Sequence, residues 1–491
     1  MNMAFKHYLF GFLSLFLTLS VTAQQQDINY CGTQDGKVPW LIKYQENPLA
    51  FEKSGSTIYV PLTIHIVGDD DGNGYIPYKK LLSAFCTLQE DFAPSNIQFF
   101  IEGELNYIDN STYYEHTFPQ GAQMMNIYKV NNTINCYIVE SPAGNCGYSS
   151  YNNGIALNKG CMSSTQHTWA HEIGHFLSLP HTFYRWEGYE HDYAQPAPNS
   201  VNGFPVERVD GSNCNFAGDG FCDTPPDYLN FIWSCSSSNT TSITQLDPNN
   251  QEFESDGTFI MAYSNGCENR FSDEQIQAMR ANLETEKQSY LYNQTPVVPV
   301  DLTDFTPISP LEGELVETYN QVTFAWEPVP NATEYFLEIS PLESFGFTLF
   351  RYILSETSFT TSEIPADVNY FWRIRAYNNY YTCEELTEPI SFQTGSTLSS
   401  VEEISAVNQF VIYPNPVTAS QSITAQIELT ESTDLEINLL STTGALIQSI
   451  ARQLPAGTNR ETINTQSLAP GVYFLQLRSN NQTTTKKLII H

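Results

Sequence analysis

The apolar positions change rhythm three times along the chain. Ile58-Tyr59-Val60-Pro61-Leu62-Thr63-Ile64-His65-Ile66-Val67 is a nearly continuous apolar run, which reads as a buried strand. Leu81, Leu82, Phe85, Leu88 and Phe92 then recur at helical spacing and predict a helix over 78–92. Ile97–Ile101 and Ile134–Val139 read as further strands, and Ser163 to Leu179 as a helix with Ser163 or Ser164 as its N-cap. A last helix is expected from Ser272-Asp273-Glu274-Gln275, where Ser and Gln three apart form a capping box, through Ile276, Met279 and Leu283. Between these helices, 182–258 is rich in Gly, Pro, Asn and Asp, and a loop so long needs metals, disulfides or a function to organise it. After Thr295-Pro296-Val297-Val298-Pro299-Val300, which reads as a linker, period-two alternation takes over. Val322–Trp326, Glu334–Ile339 and Tyr370–Tyr377 predict an antiparallel sandwich, and Phe410–Pro416, Pro470–Leu477 and Lys486–Ile490 a second β unit. The pattern as a whole is a mixed α/β region over 56–290 followed by two all-β sandwiches.

Length agrees: 491 residues at roughly 150 per domain give about three domains. The first 23 residues carry Lys6, an apolar run from Tyr8 to Leu17 and the small-residue ending Val21-Thr22-Ala23, the make-up of a secretory signal peptide. That core is shorter than the ~20 residues of a membrane span, and no later stretch is long and apolar enough to be one. Lys and Arg number 21 against 54 Asp and Glu, a net charge of −33, which repels nucleic acid and anionic membrane surfaces. The same acidity suits a soluble exported protein and leaves carboxylates for calcium. Aromatic residues make up 13% and hydrophobic residues 41%, enough to bury substantial cores, so disorder does not explain the charge. Ten cysteines in an exported chain are expected to be mostly disulfides.

The chemistry concentrates in His171-Glu172-Ile173-Gly174-His175. Histidines four apart project from one helix face, so both imidazoles reach one zinc, and Glu172, one step around, is placed to take a proton from water rather than to bind metal. The chain continues Phe176-Leu177-Ser178-Leu179-Pro180-His181, and a sharp turn after Leu177 brings a third imidazole to the metal. A three-histidine site leaves zinc's fourth position for water, whose pKa the ion lowers, while Glu172 passes the proton on to the leaving amine.

That spacing, with Met261-Ala262-Tyr263 some 80 residues later, resembles the metzincins. His181-Thr182-Phe183, Gly218-Asp219-Gly220-Phe221-Cys222-Asp223-Thr224-Pro225-Pro226 and Phe271-Ser272-Asp273-Glu274-Gln275 narrow the likeness to the pappalysin and cytophagalysin zinc endopeptidases over about 56–290. The resemblance implies an α+β metzincin catalytic domain, a twisted mixed sheet plus active-site helix, over 56–292. It implies His171, His175 and His181 as zinc ligands and Glu172 as general base and acid. Met261 would be the hydrophobic floor, and Tyr263 would hydrogen-bond the tetrahedral intermediate. Family members carry Gly where this chain has Ser178, and a non-Gly residue at positive φ there costs roughly 1–2 kcal/mol. A gluzincin arrangement would instead recruit Glu187 or Glu190, neither of which lies in a helical pattern.

The resemblance also implies calcium at Asp219, Asp223 and Thr224, although Asp-Gly is equally turn chemistry. Cys214, Cys222, Cys235 and Cys267 flank this loop; Cys235–Cys267 and Cys214–Cys222 are the favoured pairs, with connectivity left open by sequence. Asp69-Asp70-Asp71-Gly72-Asn73-Gly74 lacks the spacing of an EF-hand and reads rather as a hairpin tip. Residues 24–55 form a short pro-segment in which Cys31-Gly32-Thr33 is either a cysteine switch on the zinc or half of a disulfide. His65, His116, His167 and His191 lack metal spacing. The module at 301–396, through its Trp and Tyr-x-Trp-x-Ile-x-Ala placement, resembles fibronectin type III domains, and 405–491 resembles the type A sorting domain of the type IX secretion system. The expected protein is a secreted zinc- and calcium-dependent endopeptidase. Its partners are protein or peptide substrates and, through its C-terminal domain, the outer-membrane secretion machinery. The alternatives are a secreted adhesin with a degenerate metzincin domain and a glycan-binding surface protein.

Overall fold

The computed structural model describes residues 29–34, 36–51, 55–292, 298–397, 404–418, 421–442, 444–465, 468–479 and 482–490; the expected signal peptide and residues 295–297 of the expected linker lie outside them. By internal contacts the chain falls into two units. One runs to Thr303 and takes in Val329–Glu334 and Arg375–Leu386; the other holds Asp304–Pro328, Tyr335–Ile374 and Thr387–His491.

The first unit is built on a seven-stranded mixed sheet. Its strands are β1 (Asn29–Cys31), β2 (Ile58–Gly68), β3 (Ile97–Ile101), β4 (Asn106–Asp109), β5 (Ile134–Val139), β6 (Asn145–Ser150) and β7 (Gly154–Asn158). They lie in the order β1-β6-β7-β5-β2-β3, with β4 also paired to β2. β6 runs antiparallel to β7, whereas β2, β3, β4, β5 and β7 are mutually parallel and β1 runs parallel to β6. Side chains alternate across a strand, so β2 and β5 feed two cores. Leu62, Ile64, Ile66, Ile134, Cys136 and Ile138 join the main core with Leu81, Phe85 and Leu88 of helix α2 (Tyr78–Phe92). Val67, Tyr137 and Val139 face the other way and meet Met124 and Met125 of α3 (Phe118–Tyr128).

Helices α1 (Pro39–Glu46), α4 (Thr168–Phe176) and α5 (Asp273–Thr285) pack into the main core. α5 starts at the expected capping box: Ser272 Oγ accepts from Gln275 N and the Gln275 amide oxygen accepts from Ser272 N. α4 starts later than expected, with His167 rather than Ser163 or Ser164 at its N-cap. Ser163 instead accepts from Thr165 N in a local turn, and His167 Nδ1 lies 2.9 Å from both carboxylate oxygens of buried Asp91 on α2. This side-chain tie fixes the helix start where propensity alone favours an earlier serine cap. The Asp69–Gly74 turn joins β2 to α2 and so is not a hairpin tip; Asp69 Oδ1 accepts from Asp71 N and Asn73 N. The long loop of 182–258 is organised by Cys214–Cys222, by Cys235–Cys267 and by short strand pairs, and two further bridges are Cys146–Cys161 and Cys86–Cys383.

In the second unit, Val322–Trp326 pairs with Ser358–Thr361, and a five-stranded sheet includes Asn369–Tyr377 and Ile390–Thr397. Phe324 meets both Trp372 and Phe392, so the inward residues of the two sheets form one core. From Val407 onward a three-stranded and a four-stranded sheet share another core, with Ile423, Ala425 and Ile427 packed among Ile437, Leu439, Leu475 and Leu477.

Candidate metal centre

The local sequence bends the chain around α4. The helix ends at Phe176, Ser178 takes φ 84°, and Leu179 N returns to the Gly174 carbonyl at 2.9 Å. A left-handed residue here lets the chain reverse within three residues and set His181 beside the helix face. Ser178 therefore adopts the conformation that favours glycine, and its buried hydroxyl has no hydrogen-bond partner among the described residues.

The three imidazoles meet at their Nε2 atoms. His175 Nε2 lies 3.1 Å from His171 Nε2 and 3.1 Å from His181 Nε2. Each Nδ1 faces an acceptor: the Ile260 carbonyl for His171 at 2.7 Å, the Leu179 carbonyl for His175 at 2.8 Å and the Glu187 carboxylate for His181 at 3.0 Å. A carbonyl only accepts, so Nδ1 carries the proton in His171 and His175, and Nε2 presents a bare lone pair. Burial, then the neighbouring imidazoles, lower the pKa of His171 to about 3 and hold His175 well below its usual value, so both are neutral. Lone pairs facing one another at this distance repel unless a cation lies between them. Bonds of 2.0–2.1 Å at a tetrahedral angle place imidazole nitrogens about 3.3 Å apart, so the donor set fits zinc.

Cys31 completes the cluster. Its thiol and the three histidine donors all lie within 4.8 Å of one another. β1 carries it there by adding to the edge of the sheet at β6, with Cys31 opposite Gly147 and the Gly32 N–H donating to the Gly147 carbonyl at 2.8 Å. Cys31 and Cys136 have no disulfide partner, and Cys136 is sealed in the main core.

Glu172 is fully buried beside the cluster. Its Oε2 accepts from Thr33 Oγ1 at 2.9 Å, its Oε1 has no partner among the described residues, and burial raises its pKa to about 8. Gly147 is required by this approach: a β-carbon there would stand 2.7 Å from Glu172 Cγ. Met261 lies under the helix, where a β-carbon on Gly174 would come within 2.5 Å of its sulfur. Tyr263 packs edge-on against His181 and donates its hydroxyl to the Cys31 carbonyl at 3.3 Å; burial raises its pKa. Tyr30 wedges between His171 and Tyr263.

The loop residues named for calcium are placed differently. Asp219 is buried and accepts from Thr224 Oγ1 and Phe221 N, while Asp223 accepts from Glu274 N at the start of α5. Burial raises the pKa of Asp219 to about 7, with Lys37 opposing it. These side chains are engaged with protein donors, and the calcium expectation finds no support there. Glu187 stands behind His181 rather than among the donors, and Glu190 lies outside the metal-capable group.

Comparison with known proteins now adds to the geometry. Residues 124–284 match the family model described as pregnancy-associated plasma protein-A, and residues 411–491 match the secretion system C-terminal sorting domain. The resemblance to pappalysin-type peptidases holds. The chain is 28% identical over 194 residues to an extracellular metalloprotease of Podospora anserina, covering 34% of this chain and 62% of that protein. An extracellular metalloprotease of Colletotrichum graminicola is 28% identical over 156 residues, covering 26% and 54%. The chain thus spans less than two thirds of the length of these relatives. Among solved structures, the fn3 domain of human collagen α-1(XX) chain is 16% identical over 22% of this chain and 95% of its own, with a TM-score of 0.16. The chicken CNTN1 FN1–FN3 domains are 13% identical over 38% and 68%, with a TM-score of 0.15. Scores this low bear no argument. The pappalysin-like segment contains all three histidines, Glu172, Met261 and Tyr263, and the sorting domain marks the chain as secreted or cell-surface. No described helix is long and apolar enough to cross a membrane.

The sequence named Thr33 only as part of Cys31-Gly32-Thr33; its hydrogen bond to Glu172, the place of Tyr30 and the outer role of Glu187 carry no local signal.

Proposed function

We propose that the chain is a secreted zinc endopeptidase of metzincin type, made as a latent precursor, with His171, His175 and His181 holding the ion. The observation that carries this reading is the convergence of three bare imidazole nitrogens beside a buried carboxylate. When bound, zinc supplies a Lewis acid that polarises the scissile carbonyl and acidifies water. Glu172, its Oε1 unengaged, takes a proton from the attacking water and delivers it to the departing amine nitrogen. Met261 fixes the helix from below. The Tyr263 hydroxyl, which meets a backbone carbonyl of the bound strand, would donate to the substrate carbonyl oxygen as charge develops.

In the precursor, the Cys31 thiol would be a further donor to the ion and Thr33 hydrogen-bonds the base, so one short segment would cover both reacting groups. This reading favours the switch over a disulfide for Cys31. The C-terminal domain directs passage across the outer membrane by the type IX route, and substrates are proteins or peptides. The test compares casein cleavage by trimmed wild type and Glu172→Ala, with zinc content measured in both. Cleavage falling about 10²–10⁴-fold with zinc retained is the expected result; equal rates would overturn the role of Glu172.

A further inference from the structure

Residues 29–46 do two opposite jobs. β1 and Thr33 lie over the metal centre, held by the sheet edge, by Glu172 and by Tyr263. α1, only a few residues on, is part of the main core: Trp40, Leu41 and Tyr44 are buried among the residues that support the sheet and α5. Trp40 Nε1 donates to Thr285 Oγ1 on α5 at 3.2 Å. Gln45 Nε2 donates to the Asp219 carbonyl at 2.9 Å and its amide oxygen accepts from Lys37 Nζ at 3.0 Å. The fit is close, since a β-carbon on Gly220 would come within 2.8 Å of both Lys37 Nζ and the Gln45 amide. Lys37 also brings positive charge to Asp219 and Glu207, two carboxylates buried in the loop that α1 supports. Between these parts, Gln34 and Gly36 are exposed, and nothing lies within 4 Å of where a Gly36 β-carbon would be.

We propose that activation is hydrolysis of one peptide bond after Thr33 and before Lys37, and that Lys37 and α1 stay in the mature protein. This rests on the peptidase reading and revises the expected pro-segment of 24–55: the removable part ends before Lys37. A peptidase adds water across the bond, leaving a carboxylate on the departing strand and a new amino terminus ahead of Lys37. The departing strand takes Cys31 and Thr33 with it and frees the metal and Glu172. Losing α1 as well would open the main core and leave Glu207 and Asp219 without Lys37.

The full-length chain is trimmed by limited proteolysis, and the retained fragment is mapped by intact mass as casein cleavage appears. A retained fragment beginning at 34–37 is expected; an active fragment beginning beyond residue 46 overturns the proposal. Full-length Leu41→Ala gives a second reading. Its melting temperature should fall by several degrees relative to wild type both before and after trimming, because a buried leucine is lost from a core present in both forms. If trimmed Leu41→Ala melts with trimmed wild type, α1 has left and the proposal fails. Should trimming yield the expected fragment and the expected melting shift without any casein cleavage, the peptidase reading fails while the division at residues 34–37 stands.

Discussion

Glu187 separates two roles that sequence left undivided. Near the metal motif it could have been read as a ligand, yet its carboxylate meets His181 Nδ1 at 3.0 Å, on the ring edge away from the shared centre. His171 and His175 rest on backbone carbonyls, whereas His181 is held by a side-chain carboxyl group. A carboxylate behind an imidazole raises the ring's basicity and fixes its tautomer. Glu187→Gln should weaken zinc binding about 10–100-fold in a chelator competition, while Glu190→Gln leaves it unchanged. Lys287 carries a separate expectation. It is buried over the Phe176 ring at 4.0 Å and bonded to the Tyr151 carbonyl, and burial lowers its pKa to about 7. The unfolded chain keeps that proton to about pH 10. Between about pH 7 and 10 the unfolded state binds more protons, so this residue makes stability rise with pH across that window. Thermal melts at pH 7 and 9.5 should show Lys287→Met gaining on wild type at pH 7 and losing that advantage at 9.5.

At the scale of elements, the histidine helix and the sheet were legible because their signals are local. Apolar runs and helical spacing depend on neighbours in sequence, and β2, β3, β5 and α2 lie within a residue of the spans that patterning predicts. The start of α4 was hidden because Asp91, far away in sequence, fixes it. The placement of α1 and β1 was hidden for the same reason, since each is set by long-range packing. Ser178 was legible as a departure from a family pattern, but that the turn would still form is a tertiary outcome. Gly147 shows how a strand carries chemistry without a side chain. β6 passes so close to Glu172 that only a hydrogen fits. Gly147→Ala should push Glu172 aside, lowering casein cleavage at least tenfold after trimming while zinc stoichiometry stays at wild-type level. Unchanged cleavage would mean that Glu172 relaxes without loss.

For the whole molecule, the boundary read from composition near 295–300 differs from the division by contacts. Arg375–Leu386 sits in the period-two region, yet it groups with the first unit. Cys383 is bonded to Cys86 on α2, Tyr377 and Tyr78 share a hydroxyl contact at 2.8 Å, and Tyr380 stacks on Phe100 of β3. The Ile101 N–H, at the open edge of the sheet, donates to the Asn379 carbonyl. None of this is written in alternation, because pairing of cysteines 297 residues apart leaves no local signature. Such a bridge restrains the unfolded chain most when the loop is long, and removing one costs about 2–4 kcal/mol. The double variant Cys86→Ser/Cys383→Ser should therefore melt lower than wild type. The aromatic contacts remain in it, so the segment still docks but opens independently more often. Amide exchange at 375–386 should accelerate well beyond that at β2, whose protection follows the main core. Equal acceleration at both places would instead mean that the bridge stabilises the first unit as one cooperative body, with no separate opening of this segment.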